Sequence, residues 1–75
     1  MSEPMTTQVG GDHYTKMAIQ PIEFSMANKL NACQHTIIKY VVRKKGDRDK
    51  RLEDLDKAIH TLQIYRALIV RGEAE

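Results

Sequence analysis

The last third of the sequence carries an apolar repeat that fits one side of a long α-helix. Its members are three, four and three residues apart, namely Leu52, Leu55, Ile59 and Leu62, and Ile69 falls in the same register. Three more residues widen this stripe: Ala58, Tyr65 and Leu68. With Asp49 as its N-cap, the helix is predicted to end near Arg71 and Gly72, after about 20 residues and roughly 30 Å. A helix this long in so small a protein predicts a homo-oligomer that pairs along it.

The size of the chain also favours self-association. A chain of 75 residues buries only about 60% of the surface that it exposes when unfolded, so small domains usually need an additional source of stability. Cys33 is the single cysteine, which excludes an internal disulfide. The three histidines are scattered along the sequence and form no zinc pattern with Cys33. We therefore expect no metal and no cofactor, and we expect oligomerisation to supply the stability.

Two shorter helices are predicted ahead of the long one. Pro21 suits the first position of a helix, which is predicted to run to about Leu30. Asn31 followed by Gln34 has the spacing of a capping box, so a second helix should begin there. That helix is predicted to include Lys44 and Lys45 near its C-terminus and to end at Gly46. The sequence thus predicts a small all-α, three-helix domain.

The N-terminal region is predicted to be a tail and a flap. Residues 1–9 are polar and show no periodicity, and two glycines at positions 10 and 11 permit a sharp bend. We expect a single helical domain over residues 10–72 and a C-terminal tail at 73–75. No signal peptide and no membrane-spanning run is recognisable, and the lone cysteine suits a reducing compartment. A cytoplasmic protein without membrane contact is expected.

Three groups of polar residues are candidates for binding. The first, in the glycine-rich flap, contains Gly11, Asp12, His13 and Tyr14. Its histidine and tyrosine can donate hydrogen bonds and stack on a base or sugar, but the segment could equally be a plain turn in which Tyr14 packs on the core.

The other two groups are predicted to lie on the second and third helices. Lys39 and Arg43 are four residues apart and share a helix face, on which they could clamp a phosphate or form an ordinary solvated basic surface. Asp54 and Lys57 are three apart. The carboxylate could accept a ribose hydroxyl, or the pair could belong to a surface salt-bridge ladder.

A basic stretch separates these two helices. The segment from Arg43 to Arg51 reads RKKGDRDKR and contains six cations and two acids, whereas the net charge of the chain is +2. Such a segment could meet a phosphate or could be a solvated turn. Because no aromatic residues are interleaved with its cations, it is a poor platform for single-stranded nucleic acid.

Four motifs in order resemble the small phage proteins called SaV-like. They are GGDHY, IQPIEF, CQHTIIKYVVRKK and LEDLDKAIHTL, and they cover about residues 10–69. The resemblance implies a phage origin and nucleotide binding through Gly11, His13, Tyr14, Lys39, Arg43, Asp54 and Lys57. The same domain occurs in a longer early phage protein described as a nucleotide kinase without a Walker A loop. Where the family often has a glycine and an acid, this chain has Cys33, Gln34, His35 and Thr36, which argues against catalysis more than against binding.

Three functions follow from this reading. The first is a phage-encoded protein in the host cytoplasm that binds a nucleotide, and that sequesters a host immune signalling nucleotide. The alternative is a nucleoside monophosphate kinase acting on dGMP or dTMP, although the sequence leans against an enzyme. The second alternative is a small helical adaptor for nucleic acid or protein that uses the basic stretch, with nucleic acid the less expected partner.

Overall fold

The computed structural model describes residues 17–75, which contain three α-helices and no strand. The helices are α1 (Pro21–Ala27), α2 (Ala32–Val42) and α3 (Arg48–Val70). The prediction of a small all-α, three-helix domain is confirmed. The predicted tail at residues 1–9 and the flap that starts at Gly10 and Gly11 lie outside the described residues. No helix in the described part of the chain combines the length and the apolar character needed to cross a membrane.

Helix α1 begins at Pro21, as predicted, but ends at Ala27 and not at Leu30. The backbone turns left-handed at Lys29, whose φ is 54°. The Leu30 N–H donates to the Ser25 carbonyl at 2.9 Å, and the Lys29 N–H donates to the Met26 carbonyl at 3.2 Å. This pair of bonds is the Schellman motif, which ends the helix because it satisfies the last free carbonyls.

Helix α2 begins with the predicted capping box. The Asn31 side chain accepts a hydrogen bond from the Gln34 N–H at 2.9 Å, and the Gln34 side chain accepts one from the Asn31 N–H at 3.0 Å. The predicted end near Gly46 is wrong, because the helix stops at Val42 and Arg43 is extended, with φ −73° and ψ 122°. Lys44 and Lys45 therefore lie in the connecting loop, and Gly46 lies there too, with φ 84°.

Helix α3 starts two residues earlier than predicted. Its N-cap is Asp47 and not Asp49, since the Asp47 carboxylate accepts from the Lys50 N–H at 2.9 Å. The predicted C-terminus is close to the observed one: the helix ends at Val70, and Gly72 adopts φ 75° in a second Schellman turn.

Helices α2 and α3 form an antiparallel hairpin. The end of α2 meets the beginning of α3 through Arg43 and Asp54, while Asn31 before α2 lies 3.4 Å from the Tyr65 hydroxyl late in α3. Helix α1 is tied to α2 by a hydrogen bond of 2.7 Å between the buried Ser25 hydroxyl and Nδ1 of His35. The hairpin thus sets which residues of α2 and α3 face one another.

The face of α3 that packs on α2 overlaps only in part with the apolar stripe predicted from the sequence. Asp54 and Ala58 are its buried residues, and Thr61, Tyr65 and Leu68 on the same side are half-buried. The five repeat residues of the sequence pattern stay 42% to 53% exposed: Leu52, Leu55, Ile59, Leu62 and Ile69. On α2, the apolar side chains of Cys33, Ile37, Ile38 and Val42 are half-buried, whereas Val41 is exposed. The pattern therefore describes two adjacent sides of α3, of which α2 covers one.

Candidate functional site

The centre of the candidate site is an ion pair between Arg43 and Asp54. Arg43 Nη2 donates to Asp54 Oδ1 at 2.9 Å, and Arg43 Nε donates to Asp54 Oδ2 at 3.2 Å. The Asp54 side chain is 1% exposed and the Arg43 side chain is 19% exposed. This two-pronged contact uses the planar fork of the guanidinium and joins the end of α2 to α3.

The pair changes the proton affinity of Asp54. The hydrogen bonds from Arg43 lower the pKa of the Asp54 carboxyl below its ordinary value, although desolvation acts in the opposite direction. Lys50, whose Nζ lies 3.7 Å from Asp54 Oδ1, adds to the lowering. Asp54 is therefore held as a carboxylate, and its charge is matched by cations from both helices.

Exposed charges extend this cluster along α3. Lys57 Nζ lies 3.2 Å from Glu53 Oε1, and Lys50 Nζ lies 3.5 Å from the same oxygen. The hydrogen bond from Lys57 is the main reason that the pKa of Glu53 is lowered. Both Lys57 and Glu53 are substantially exposed, so water screens their attraction and the pair is weak.

Three cations surround the ring of Tyr40. The distances from its centroid are 5.3 Å to the Arg43 guanidinium carbon, 5.7 Å to Lys39 Nζ and 5.8 Å to Lys57 Nζ. Each distance is within the range of a cation–π attraction. Lys39 and Tyr40 lie on α2, Arg43 directly follows the end of α2, and Lys57 reaches the ring from α3. The hairpin thus gathers positive charge from two helices around one aromatic ring.

An open groove of about 460 Å³ lies beside this ring. From α2 it is lined by Thr36 and Tyr40, and from α3 by Glu53, Asp56, Lys57, His60 and Thr61. The Thr61 hydroxyl donates to the Lys57 carbonyl at 2.9 Å, which leaves its oxygen able to accept a hydrogen bond. The groove therefore offers hydroxyls, an imidazole, carboxylates and an ammonium group within one small area.

A larger open concavity of about 580 Å³ lies at the opposite end of the hairpin. It is formed by the α1–α2 connection, the first residues of α2 and the end of the chain, where Glu73 and Glu75 contribute carboxylates. Lys29 is its one basic lining residue among those described. This end has less positive charge to offer an anion than the Tyr40 groove has.

The structure brings together four of the residues singled out from the sequence: Lys39, Arg43, Asp54 and Lys57. The other four lie outside the described residues: Gly11, Asp12, His13 and Tyr14. The role of all eight in ligand binding stays a prediction. What sequence reasoning missed is the mutual contact of Arg43 and Asp54 and the central place of Tyr40. Both depend on the antiparallel packing of α2 and α3. The signal for that packing in the sequence is the short loop that joins the two helices.

Metal ligands do not cluster in the described part of the chain. Among residues 17–75 no three His, Cys, Asp or Glu side chains lie in an arrangement that could hold a metal ion.

The comparisons with known proteins identify a family and no individual relative. No curated protein and no solved structure matches the chain. The family model described as protein of unknown function DUF3310 matches residues 7–63, which includes α1, α2, the connecting loop and the first two thirds of α3. The Tyr40 groove and the Arg43–Asp54 pair lie wholly within that span, and the chain belongs to the DUF3310 family.

Proposed function

We propose that this protein binds a nucleotide, or a small molecule derived from one, in the groove beside Tyr40. The observation that carries the proposal is the convergence of Lys39, Arg43 and Lys57 on the Tyr40 ring. Phosphate groups are recognised by such clusters of cations, and the lining hydroxyls and carboxylates suit a sugar or a base.

The cations divide into two roles in this proposal. Arg43 holds the buried Asp54 carboxylate with its fork, so it positions the hairpin and adds positive potential to the groove. Among residues 17–75, Lys39 makes no ion pair, and Lys57 makes one, with the exposed Glu53. A phosphate competes with an exposed pair at little cost, since such pairs contribute about 1 kcal/mol or less. The proposed phosphate contacts are therefore Lys57, which lines the groove, and Lys39, which lies beside the Tyr40 ring but outside the groove lining.

The polar lining of the groove suits the rest of a nucleotide. The Thr61 oxygen and the carboxylates of Glu53 and Asp56 can accept hydrogen bonds from ribose hydroxyls or from an exocyclic amino group. His60 can donate to or accept from the ligand, according to its tautomer. These groups would distinguish a nucleotide from inorganic phosphate, which needs none of them.

The proposal also assigns ligand contacts to the GGDHY segment, on the ground of the sequence resemblance alone. The resemblance to SaV-like phage proteins implies ligand contacts from Gly11, His13 and Tyr14, and Asp12 between them is a further candidate. His13→Ala and Tyr14→Ala should then weaken nucleotide binding and leave the helical circular dichroism spectrum unchanged. Loss of helix in either variant would point instead to packing of this segment on the core.

The same resemblance supports a biological setting. We infer a phage-encoded protein that acts in the host cytoplasm by sequestering a host immune signalling nucleotide. Sequestration requires binding without turnover, so a ligand incubated with the protein should be recovered intact by mass spectrometry. A chemically altered ligand would overturn sequestration. Formation of a diphosphate from ATP with dGMP or dTMP would establish the kinase alternative.

The binding proposal is tested by calorimetric titration with mono-, di- and cyclic nucleotides. Lys39→Gln combined with Lys57→Gln should reduce the affinity of the nucleotide that binds by on the order of 100-fold, because two charge-assisted contacts are lost. Lys44→Gln combined with Lys45→Gln is the matched control, since it removes the same charge from the exposed loop. If the two double variants lose the same affinity, the effect comes from the net charge of the protein, which would contradict a site at Tyr40. Strongly salt-dependent DNA binding would favour the adaptor alternative.

A further inference from the structure

Helix α3 carries a row of apolar side chains, interrupted by one arginine, that its own hairpin leaves open. We call it the α3 seam; its members are Leu52, Leu55, Ile59, Leu62, Arg66 and Ile69. All six are exposed, and the five apolar side chains keep 42% to 53% of their surface accessible. Within residues 17–75, the buried apolar residues are Ala58 and Pro21. Much of the apolar surface of the described chain is therefore without cover.

Helix α2 does not reach this surface. The buried residue Ala58 marks the side of α3 that packs on α2. Ile59 follows it directly, so it lies about 100° further around the helix. The α3 seam and the hairpin contact are thus neighbouring sides of one helix, and a second helix can lie on the seam while α2 keeps its place.

The spacing of the seam is that of a coiled coil. Its members succeed one another by three, four, three, four and three residues over most of α3. This 3.5-residue repeat keeps apolar side chains facing a partner helix over several turns. We propose that the α3 seam pairs with the α3 seam of a second copy of this chain in an antiparallel coiled coil.

Arg66 determines the direction of the pairing. In a parallel pair, the two Arg66 side chains would lie opposite each other within the apolar contact. In an antiparallel pair with Ile59 level with Leu62 of the partner subunit, Leu52 lies level with Ile69 of the partner subunit. The same register places Leu55 level with Arg66 of the partner subunit. A polar residue at such a seam position commonly selects one register and one orientation.

The antiparallel register also supplies an acidic partner for this arginine. Asp56 follows Leu55 directly and borders the seam, so this register places it next to Arg66 of the partner subunit. Both Asp56 and Arg66 are exposed, and neither has an ion pair with residues 17–75. The two-fold symmetry of a homodimer repeats the pair at the other end of the seam. This self-complementarity is the reason to assign the seam to a second copy.

The dimer has a consequence for the groove beside Tyr40. Asp56 also lines that groove, so Arg66 of the partner subunit would compensate one of its negative charges. This consequence rests on the proposed function, whereas the dimer itself does not. A dimer without nucleotide binding would leave the pairing standing, and nucleotide binding by a monomer would leave the proposed function standing.

Disulfide trapping tests the direction of the pairing. On a Cys33→Ser background, one chain carries Leu52→Cys and another carries Ile69→Cys, and the two are mixed and oxidised. The antiparallel register brings these two cysteines level, while two Leu52→Cys positions lie about 25 Å apart, too far for a disulfide. We expect disulfides between the two different chains only. Disulfides between identical Leu52→Cys chains would overturn the antiparallel arrangement.

Charge exchange tests the ion pair. Asp56→Arg and Arg66→Asp each place like charges together twice per dimer, so each should raise the dimer dissociation constant by about tenfold or more. The double variant restores opposite charges and should return the constant to within about threefold of the original. Sedimentation equilibrium measures it, and circular dichroism checks that helix content is unchanged. A chain that stays monomeric at every concentration, or a double variant as weak as the two single ones, would overturn the proposal.

Discussion

Arg43 and Asp54 form the polar link that closes the α2–α3 hairpin. Two nitrogens of one side chain meet two oxygens of the other at 2.9 and 3.2 Å, and the carboxylate is almost completely buried. Replacing one member of a buried pair leaves the other without its compensating charge, which is more harmful than losing an exposed pair. The link therefore connects the fold of the hairpin to the arrangement of charge around Tyr40.

The first prediction concerns the loss of this charge. Asp54→Asn keeps the size of the side chain but leaves Arg43 without its carboxylate. The melting temperature should fall by on the order of 10 °C, because a domain of this size responds strongly to a lost interior contact. Thermal unfolding followed by circular dichroism measures the change. Asp49→Asn is the control, since the Asp49 side chain is 88% exposed; a similar fall in both variants would contradict a special role for Asp54.

The second prediction concerns the stability of the protein at low pH. The pKa of Asp54 is lower in the folded protein than in the unfolded chain, chiefly through the hydrogen bonds from Arg43. The folded state then binds fewer protons, so the stabilisation is complete above the ordinary value of 3.8 and declines as pH falls through the lower folded pKa. Melting temperatures measured between neutral pH and strong acid should drop below about pH 4. This acid-induced fall in melting temperature should be smaller in Asp54→Asn. If the fall is the same in that variant, other carboxyl groups are responsible for it.

The third prediction concerns the turn after α1. Lys29 holds a φ of 54°, which costs a lysine more than it costs a glycine. Lys29→Gly should raise the free energy of unfolding by up to about 1 kcal/mol, since the Schellman motif favours glycine at this position. Denaturant titration provides the measurement. Lys44→Gly, at a loop lysine without positive φ, should instead be neutral or slightly destabilising; a gain there would show that strain is not the cause.

The fourth prediction separates two glycines with positive φ. A Cβ at Gly46 would lie 2.7 Å from Lys50 Cγ and 2.8 Å from Lys50 Cβ, whereas a Cβ at Gly72 would meet nothing within 4 Å. Gly72→Ala should cost about 1 kcal/mol or slightly more from backbone strain alone. Gly46→Ala should cost more, because crowding against α3 is added to the strain. Denaturant titration ranks the two variants, and a smaller loss at Gly46 would contradict the crowding argument.

Local signals in the sequence predicted the individual helices well. Pro21 and the Asn31–Gln34 capping box each act within one helical turn, so their effect can be read without knowing the fold. Helices α1 and α2 end earlier than their sequence patterns predict, at Ala27 and Val42. Lys29 turns left-handed although it is not a glycine, and Arg43 leaves the helix at the point where it binds Asp54.

The candidate site was only partly predictable, because it depends on how the helices pack and not on local signals. Lys39, Arg43, Asp54 and Lys57 are polar residues at helical spacings, and those spacings do not say which side of α3 meets α2. The apolar stripe favoured the side that contains Ile59, yet the buried side contains Asp54 and Ala58. Arg43 favours this outcome, because it reaches Asp54 only when that side of α3 faces α2.

The sequence by itself determined the class of fold, the three helices, the starts of α1 and α2 and the end of α3, because these depend on periodicity and on caps that act over a few residues. The tertiary structure decided which charges meet: Arg43 with Asp54, and three cations around Tyr40. These contacts join residues from two helices, and their geometry depends on the rotation of each helix about its axis. That rotation is set by burial and ion pairing across the hairpin, which no local pattern in the chain records.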